Sequence, residues 1–213
     1  MHEYRYLSVP LLESVYAEAT GAERPEPGAL RAWSWPKRGG NTGITITRPV
    51  RYPEPGELAA FAAQVLGGRW KAPAVAGPGD YLHTSAMLGL RLVPAEGFGG
   101  AAAVFYGYPA GQDGGPLLLL AGPAADSPFY AGRAGGRFAA PESAAQMSRL
   151  LEAIGSSQGI PSPAAGALAA TVTALPGDPP WGVAEEVLAQ VLLRQAAPDG
   201  QIVLACTPVY VRR

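Results

Sequence analysis

The chain has 213 residues, a length that suits one domain with a core large enough to need no disulfide or metal staple. Charged residues are 15% of the chain and the net charge is −1, which leaves no overall field to attract nucleic acid or an anionic membrane. The single cysteine, Cys206, excludes an internal disulfide, and we find no secretory signal and no apolar span of about 20 residues, so we expect a cytoplasmic protein.

The N-terminal part of the chain alternates strand and helix patterns. His2 to Leu7 alternates aromatic and polar residues, which predicts a strand, and Ser8 to Gly21 has helical spacing with a capping residue at each end. A loop with aromatic anchors is predicted over residues 22–42. Gly43 to Val50 then alternates as a strand, and Leu58 to Leu66 has the spacing of an amphipathic helix.

Three short apolar runs in the middle of the chain predict a meander of antiparallel strands. The runs are Tyr81 to Val93, Ala101 to Tyr108 and Leu117 to Ala121. Glycine-rich segments separate them, and the Asp-Gly-Gly segment between the last two runs is typical of a β-hairpin.

The C-terminal part of the chain predicts two further helices and a closing strand. Apolar residues fall at helical spacing within Ala139 to Gly155 and again within Val183 to Gln195, where Glu185 and Glu186 would lie near the positive end of the helix dipole. Gln201 to Val211 is apolar enough to predict a central strand.

These patterns together predict a single α+β domain over residues 1–213. Its antiparallel sheet, which can be strongly curved, would be packed by about four amphipathic helices. Irregular loops are expected near 22–42 and 156–180, where Gly, Pro, Ala and Ser dominate.

Four segments of the chain resemble an uncharacterised actinobacterial family known as a domain of unknown function. The segments are Tyr4 to Ser14, Tyr81 to Leu90, Leu117 to Pro123, and Val187 to Leu193 with Val203 to Val211. The last pair, a terminal helix and a strand with a Thr-Pro-aliphatic-Tyr ending, is the most specific. The resemblance implies no established activity, and it implies an accessory role in a bacterial signalling or conflict system only by association.

Residues that could carry catalysis are few. One cysteine and two histidines cannot supply a typical zinc or iron site, so we expect no metal and no cofactor. Asp80, His83 and Ser85 are the best candidates for a hydrolase site. His83 and Ser85 share a face of the predicted strand, but their Cα atoms would be about 6–7 Å apart, which makes a direct hydrogen bond awkward.

Residues that could bind a ligand are more widespread. Tyr81, Tyr106 and Tyr108 are the aromatic residues of the predicted meander. Arg133 and Arg137 lie in a glycine-rich segment ahead of a predicted helix and are the candidates for an anionic ligand.

Three functions are consistent with these residues. The sequence favours a non-enzymatic module that binds a small molecule or a protein, because no recognised catalytic set is present. The first alternative is a hydrolase with its site around Asp80, His83 and Ser85. The second is a structural component of a homo- or hetero-oligomer, whose apolar C-terminal edge pairs with another chain.

Overall fold

The computed structural model describes residues 4–22, 30–35, 44–49, 52–95, 97–111, 115–130, 136, 138–157, 159, 183–197 and 199–213, with backbone alone for 30–35 and 44–49. These residues form eight strands and three helices. The strands are β1 (Tyr4–Leu7), β2 (Leu30–Trp35), β3 (Ile44–Pro49), β4 (Tyr81–Ala95), β5 (Gly100–Pro109), β6 (Leu117–Pro123), β7 (Glu185–Ala196) and β8 (Ile202–Arg212); the helices are α1 (Val9–Thr20), α2 (Pro55–Val65) and α3 (Ala144–Ser157).

Six of the strands form one sheet that closes on itself. Its order is β1-β8-β6-β5-β4-β7, and β7 also pairs with β8, which closes a ring of five strands and leaves β1 beside β8. The strands run antiparallel except for the parallel pair β6–β8. β2 and β3 form a separate antiparallel pair. The predicted antiparallel sheet and the predicted meander of β4, β5 and β6 are confirmed.

Strand β8 has neighbours on both sides. It pairs with β7 from Ile202 to Arg212, and its other side pairs first with β6, up to Cys206, and then with β1, from Tyr210 onward. The predicted central strand is therefore confirmed. The prediction of an apolar C-terminal edge is wrong, because β8 offers no open side along these pairings.

The closed sheet has an apolar interior and two apolar patches on its outer face. Each strand contributes to both faces, because its side chains alternate between them. The interior is filled by buried residues from all five strands of the ring, including Leu88, Phe105, Leu118, Val187 and Leu204. One outer patch lies under α3, which buries Met147, Leu150, Leu151 and Ile154 there. The other lies under α1 and α2 and includes Leu12, Leu58, Leu188 and Tyr210.

The predicted helices at α1, α2 and α3 are confirmed. Helix α1 begins after Ser8, has Pro10 in its first turn, and ends at Gly21, whose φ of 66° is the left-handed conformation that glycine adopts readily. Among the described helices, none combines the length and the apolar character needed to cross a bilayer.

The helix predicted from Val183 to Gln195 is wrong, because this segment is strand β7. Both faces of β7 are buried: Val187 and Val191 point into the closed sheet, and Leu188 packs on the outer face. A strand buried on both sides lacks the polar alternation that identifies strands in a sequence, so its apolar residues mimic a helical stripe. The described residues therefore contain three helices and not about four.

The loop predicted over residues 22–42 needs a second correction, because β2 occupies Leu30–Trp35. Of the loop predicted over 156–180, helix α3 takes the first two residues, and residues 160–182 lie outside the described part of the chain.

A buried ion pair connects β1 with β7 across one end of β8. Nη1 of Arg5 lies 2.7 Å from both carboxylate oxygens of Glu185, and the two residues are 2% and 1% exposed. The guanidinium also lies 5.5 Å from the ring centroid of Phe105, and Arg213 approaches Glu185 at 3.4 Å. Such a pair restricts the register of the strands that carry it, since a displaced strand would leave a charge buried alone.

We expect Glu185→Ala to lower the free energy of unfolding by about 3–5 kcal/mol, because it leaves the Arg5 guanidinium buried without its carboxylate. Urea denaturation measures this loss. The control is Glu152→Ala on the exposed face of α3, with an expected change within about 0.5 kcal/mol. Equal stabilities for the two variants would contradict the assigned role of the pair, and Arg5→Met combined with Glu185→Leu should recover much of the loss.

We also expect Gly107→Ala to destabilise the protein by about 1–3 kcal/mol or more. Gly107 lies opposite Leu88 in the β4–β5 pair, and a Cβ atom there would collide with the backbone carbonyl of Met87, which cannot move without breaking the sheet. Gly56→Ala in α2 is the control, because the space around Gly56 is open. Thermal unfolding that ranks the two variants equally would contradict this.

Candidate functional site

A cluster of four polar side chains lies on the outer face of the sheet where β4, β7 and β8 meet. Its centre is the Glu186 carboxylate. His83 Nε2 lies 2.7 Å from Glu186 Oε1, and the Tyr210 hydroxyl donates to the same oxygen at 2.7 Å. Arg212 donates to Oε2 through Nε at 3.0 Å and to both oxygens through Nη2 at 2.8 Å.

The register of the three strands brings these side chains together. His83 lies opposite Leu188, and Leu188 lies opposite Tyr210, so one row crosses all three strands. Glu186 lies two residues before Leu188 on β7, and its partner Arg212 lies two residues after Tyr210 on β8. Residues two apart on a strand point to the same face, so Glu186 and Arg212 share the face of this row.

The cluster holds the Glu186 carboxyl in its ionised form. Partial burial of Glu186 opposes ionisation, but the hydrogen bonds from His83, Tyr210 and Arg212 and the charge of Arg212 outweigh it and lower the pKa of Glu186 from 4.5 to about 2. Burial, and then the hydrogen bond to Glu186, raise the pKa of Tyr210, so the phenol keeps its proton and donates it to the carboxylate.

These bonds fix the orientation of the His83 imidazole. Since Tyr210 and Arg212 already donate to an ionised Glu186, we assign the Nε2 hydrogen of His83 to the same carboxylate. The Trp70 ring packs against the imidazole at 4.2 Å between centroids. No described residue hydrogen-bonds to Nδ1, and the side chain is 24% exposed, so this nitrogen is open to a hydrogen bond from solvent.

The structure does not connect the three residues predicted for a hydrolase. Asp80 accepts a hydrogen bond from the Gly77 backbone N–H at 2.9 Å and so closes the turn before β4. Ser85 is exposed, and among the described hydrogen bonds none joins Asp80 or Ser85 to His83. The acidic partner of His83 is Glu186, which sequence reasoning had assigned to a helix dipole.

The three predicted ligand-binding tyrosines do not converge. Tyr81 packs beneath α1 and α2 with the Arg69 guanidinium 5.0 Å from its ring centroid, and Tyr106 packs beneath α3 and accepts a hydrogen bond from Arg91 at 3.2 Å. Tyr108 is 44% exposed. Arg133 and Arg137, predicted for an anionic ligand, lie outside the described residues.

A cavity of about 320 Å³ opens where the start of α1, the turn after β6 and the segment before α3 meet. We call it the α1 cavity. Its described lining residues are Ser8, Pro10, Leu11, Asp126, Phe138, Ala139, Ala140 and Glu142. Their order in the chain gives no hint of this meeting, so sequence reasoning missed the cavity.

Ser8 is the unusual residue of the α1 cavity. It holds the N-cap position of α1 but makes no side-chain capping bond, and its hydroxyl is buried with no hydrogen-bond partner among the described residues. Asp126 is also buried, at 8% exposure, and accepts a hydrogen bond from the Tyr6 hydroxyl at 3.4 Å. Buried polar atoms in proteins are almost always paired, so an unpaired one needs a reason.

The wall opposite α1 is fixed to the sheet. The Thr207 hydroxyl donates to the Pro141 carbonyl at 2.6 Å, and the Phe138 ring packs edge-on against Phe98 at 5.3 Å between centroids. A second cavity of about 530 Å³ shares Phe138 and the two alanines that follow it and reaches Arg149 on α3. These two contacts attach the segment before α3 to β8 and to the turn before β5.

Metal binding has little support in the described residues, where no group of three or more His, Cys, Asp or Glu side chains could hold an ion. Cys206 is buried within the closed sheet, and burial raises the pKa of its thiol, so it behaves as an apolar core residue.

No family model, no curated protein and no solved structure matches the chain. The resemblance to an actinobacterial family therefore stays a prediction, and any function must be argued from the geometry of the chain itself.

We expect acid to destabilise the wild-type protein through Glu186. Because folding lowers the pKa of this carboxyl, its contribution to stability is complete above pH 4.5 and is lost as the pH falls toward about 2. Between these values the free energy of unfolding should fall more steeply with decreasing pH for the wild type than for Glu186→Gln. Urea denaturation across that range measures both slopes.

The control for this measurement is Glu152→Gln, which changes an exposed carboxylate and should keep the wild-type slope. If the free energy of unfolding depends on pH equally in the wild type and in Glu186→Gln, the cluster does not lower the pKa of Glu186 in the way that its geometry indicates.

Proposed function

We propose that the protein is a non-enzymatic module that binds a small molecule in the α1 cavity. The observation that carries the proposal is the unpaired, buried hydroxyl of Ser8 in the cavity wall. A buried polar group without a partner costs about 1–3 kcal/mol, and a ligand that hydrogen-bonds to it recovers that free energy.

The size and lining of the cavity support this proposal. Its volume of about 320 Å³ is at the lower end of the range found for small-molecule sites and far exceeds the space that one water molecule needs. The lining combines apolar contacts from Pro10, Leu11 and Phe138 with the polar groups of Ser8 and Asp126, a mixture that is typical of ligand pockets.

The frame around the cavity also supports binding by a preformed site. The Ser8 backbone N–H donates to the Val209 carbonyl of β8 at 3.0 Å, and the Ser127 hydroxyl donates to the Arg5 carbonyl at 2.8 Å. These bonds attach both polar sides of the cavity to the sheet, which lowers the entropy that a ligand would lose by ordering its site.

The hydrolase alternative has weaker support. Its proposed members Asp80 and Ser85 make no hydrogen bond to His83 among the described residues, and Glu186 already binds Tyr210 and Arg212 besides His83. Among the described residues His83 therefore has no nucleophile positioned for covalent catalysis, which leaves this alternative with less support than binding in the α1 cavity.

We expect Ser8→Ala to weaken ligand binding without destabilising the free protein. A thermal-shift screen of metabolites against the wild type should find compounds that raise the melting temperature, by roughly 5–10 °C for a ligand at a hundred times its Kd. The same compounds should shift Ser8→Ala less. Its ligand-free melting temperature should match or exceed that of the wild type, because the hydroxyl makes no bond within the described protein.

The control is Ser14→Ala, which removes an exposed hydroxyl from the same helix and should respond to every compound as the wild type does. The proposal is wrong if no compound raises the melting temperature, or if the shifts in Ser8→Ala equal those in the wild type.

A further inference from the structure

Helix α1 begins without the cap that its serine could provide. Ser8 and Ser143 hold the same position in α1 and α3, since the carbonyl of each accepts the first helical hydrogen bond, at 3.1 and 2.9 Å. The Ser143 hydroxyl also accepts from the Gln146 amide at 3.3 Å, as an N-cap serine usually does. The Ser8 hydroxyl makes no such bond, although Ser8 is 1% exposed and lines the α1 cavity.

The first turn of α1 leaves backbone donors open as well. It begins with Val9, Pro10 and Leu11; proline has no N–H, and neither of the other two amides has an acceptor among the described hydrogen bonds. This described turn carries no acidic side chain that could serve instead. Amides of a first turn point out of the start of the helix, and Ser8, Pro10 and Leu11 line the cavity at that start. The Ser8 hydroxyl and the Leu11 amide are therefore two neighbouring donors that lack an acceptor within the described protein.

We infer that the ligand of the α1 cavity carries a carbonyl-type oxygen, that of a carboxylate or of a carboxamide, which takes the place of the missing cap of α1. This oxygen accepts hydrogen bonds from the Ser8 hydroxyl and from the Leu11 amide. The inference rests on the proposed function and names the chemistry of the same site.

The oxygen follows from the donors that it meets. A carbonyl-type oxygen has two lone pairs and no hydrogen, so it can accept from the hydroxyl and from the amide at once. The positive end of the helix dipole attracts its negative partial charge. A protonated amine has only hydrogens to offer and would face two donors and a positive helix end, so this end of the cavity selects acceptors over donors.

The apolar lining indicates a short hydrocarbon chain for the rest of the ligand. Pro10, Leu11 and Phe138 can contact such a chain, and the volume of about 320 Å³ limits its length. The two head groups differ in charge: the helix dipole favours the carboxylate, whereas Asp126 and Glu142 in the lining favour the neutral carboxamide. Both head groups present the same oxygen, so both serve as probes.

The test uses three probes with one hydrocarbon skeleton: isocaproate, isocaproamide and protonated isohexylamine, which has no acceptor. Titration of each probe into the isotope-labelled full chain, followed by amide NMR, gives the affinity and the place of binding. At least one acceptor probe should bind about tenfold or more tightly than the amine, because the amine forfeits both hydrogen bonds. The same probe should move the Leu11 amide proton downfield as its hydrogen bond forms, and the tighter of the two acceptor probes identifies the charge of the head group.

Three variants separate the hydroxyl of the cavity from other serine hydroxyls. Ser8→Ala should weaken the tighter acceptor probe about tenfold and leave the amine unchanged. Ser14→Ala removes an exposed hydroxyl from the same helix and should keep the wild-type affinities. Ser143→Ala removes a hydroxyl that caps its own helix, so it should lower the melting temperature and leave the affinities unchanged, the reverse of the effects of Ser8→Ala.

The inference is overturned if neither acceptor probe binds more tightly than the amine, if the Leu11 amide proton does not respond, or if Ser8→Ala binds the acceptor probes as the wild type does. The proposed function survives such a result if the metabolite screen has found compounds whose thermal shift depends on Ser8. A screen without such compounds removes the proposed function as well.

Discussion

The hydrogen bonding of β8 on both of its sides is the constraint on which the rest of the structure depends. Because β7 covers one side and β6 and then β1 cover the other, the sheet closes and its interior excludes water. The place of β1 beyond the end of β6 also determines where α1 begins, since Ser8 follows β1 directly and its N–H is bound to Val209 of β8. The same pairings that close the sheet therefore also position the side of the α1 cavity that Ser8 and α1 form.

Two adjacent glutamates at the start of β7 show how the closed sheet uses the two faces of a strand. Glu185 points inward to Arg5 and is fully buried, whereas Glu186 points outward to Arg212 and is partly exposed. A shift of β7 by one residue would turn Glu185 outward and Glu186 inward, so Arg5 and Arg212 would each lose their carboxylate partner. The pairs therefore specify register as well as contributing energy, which is the best-attested use of buried ionic groups.

Local patterns predicted most of the elements, and tertiary burial explains the failures. The apolar stripe of α3 identifies a helix because the opposite face of α3 meets water. The prediction of a helix at β7 is wrong because both faces of this strand are buried. The same error places Glu186 at a helix dipole, whereas the structure places it beside His83. The α1 cavity could not be predicted at all, because it joins Ser8, Asp126 and Phe138 from three distant parts of the chain, and a sequence does not show which loops meet.

The His83 cluster and the α1 cavity differ in how far their polar groups are paired within the described protein. A lowered pKa often marks a functional site, and Glu186 has one, but both of its oxygens are already bound by His83, Tyr210 and Arg212. Those bonds satisfy the carboxylate within the protein and leave little capacity for a ligand. Ser8 has no perturbed charge, yet its hydroxyl is buried at a cavity without a partner in the described protein. Folding tends to pair every buried polar atom, and two described atoms depart from this, the Ser8 hydroxyl and the indole nitrogen of Trp70. Ser8 lines a described cavity and Trp70 does not, so we weigh the Ser8 hydroxyl above both Trp70 and the perturbed carboxylate as a candidate ligand contact.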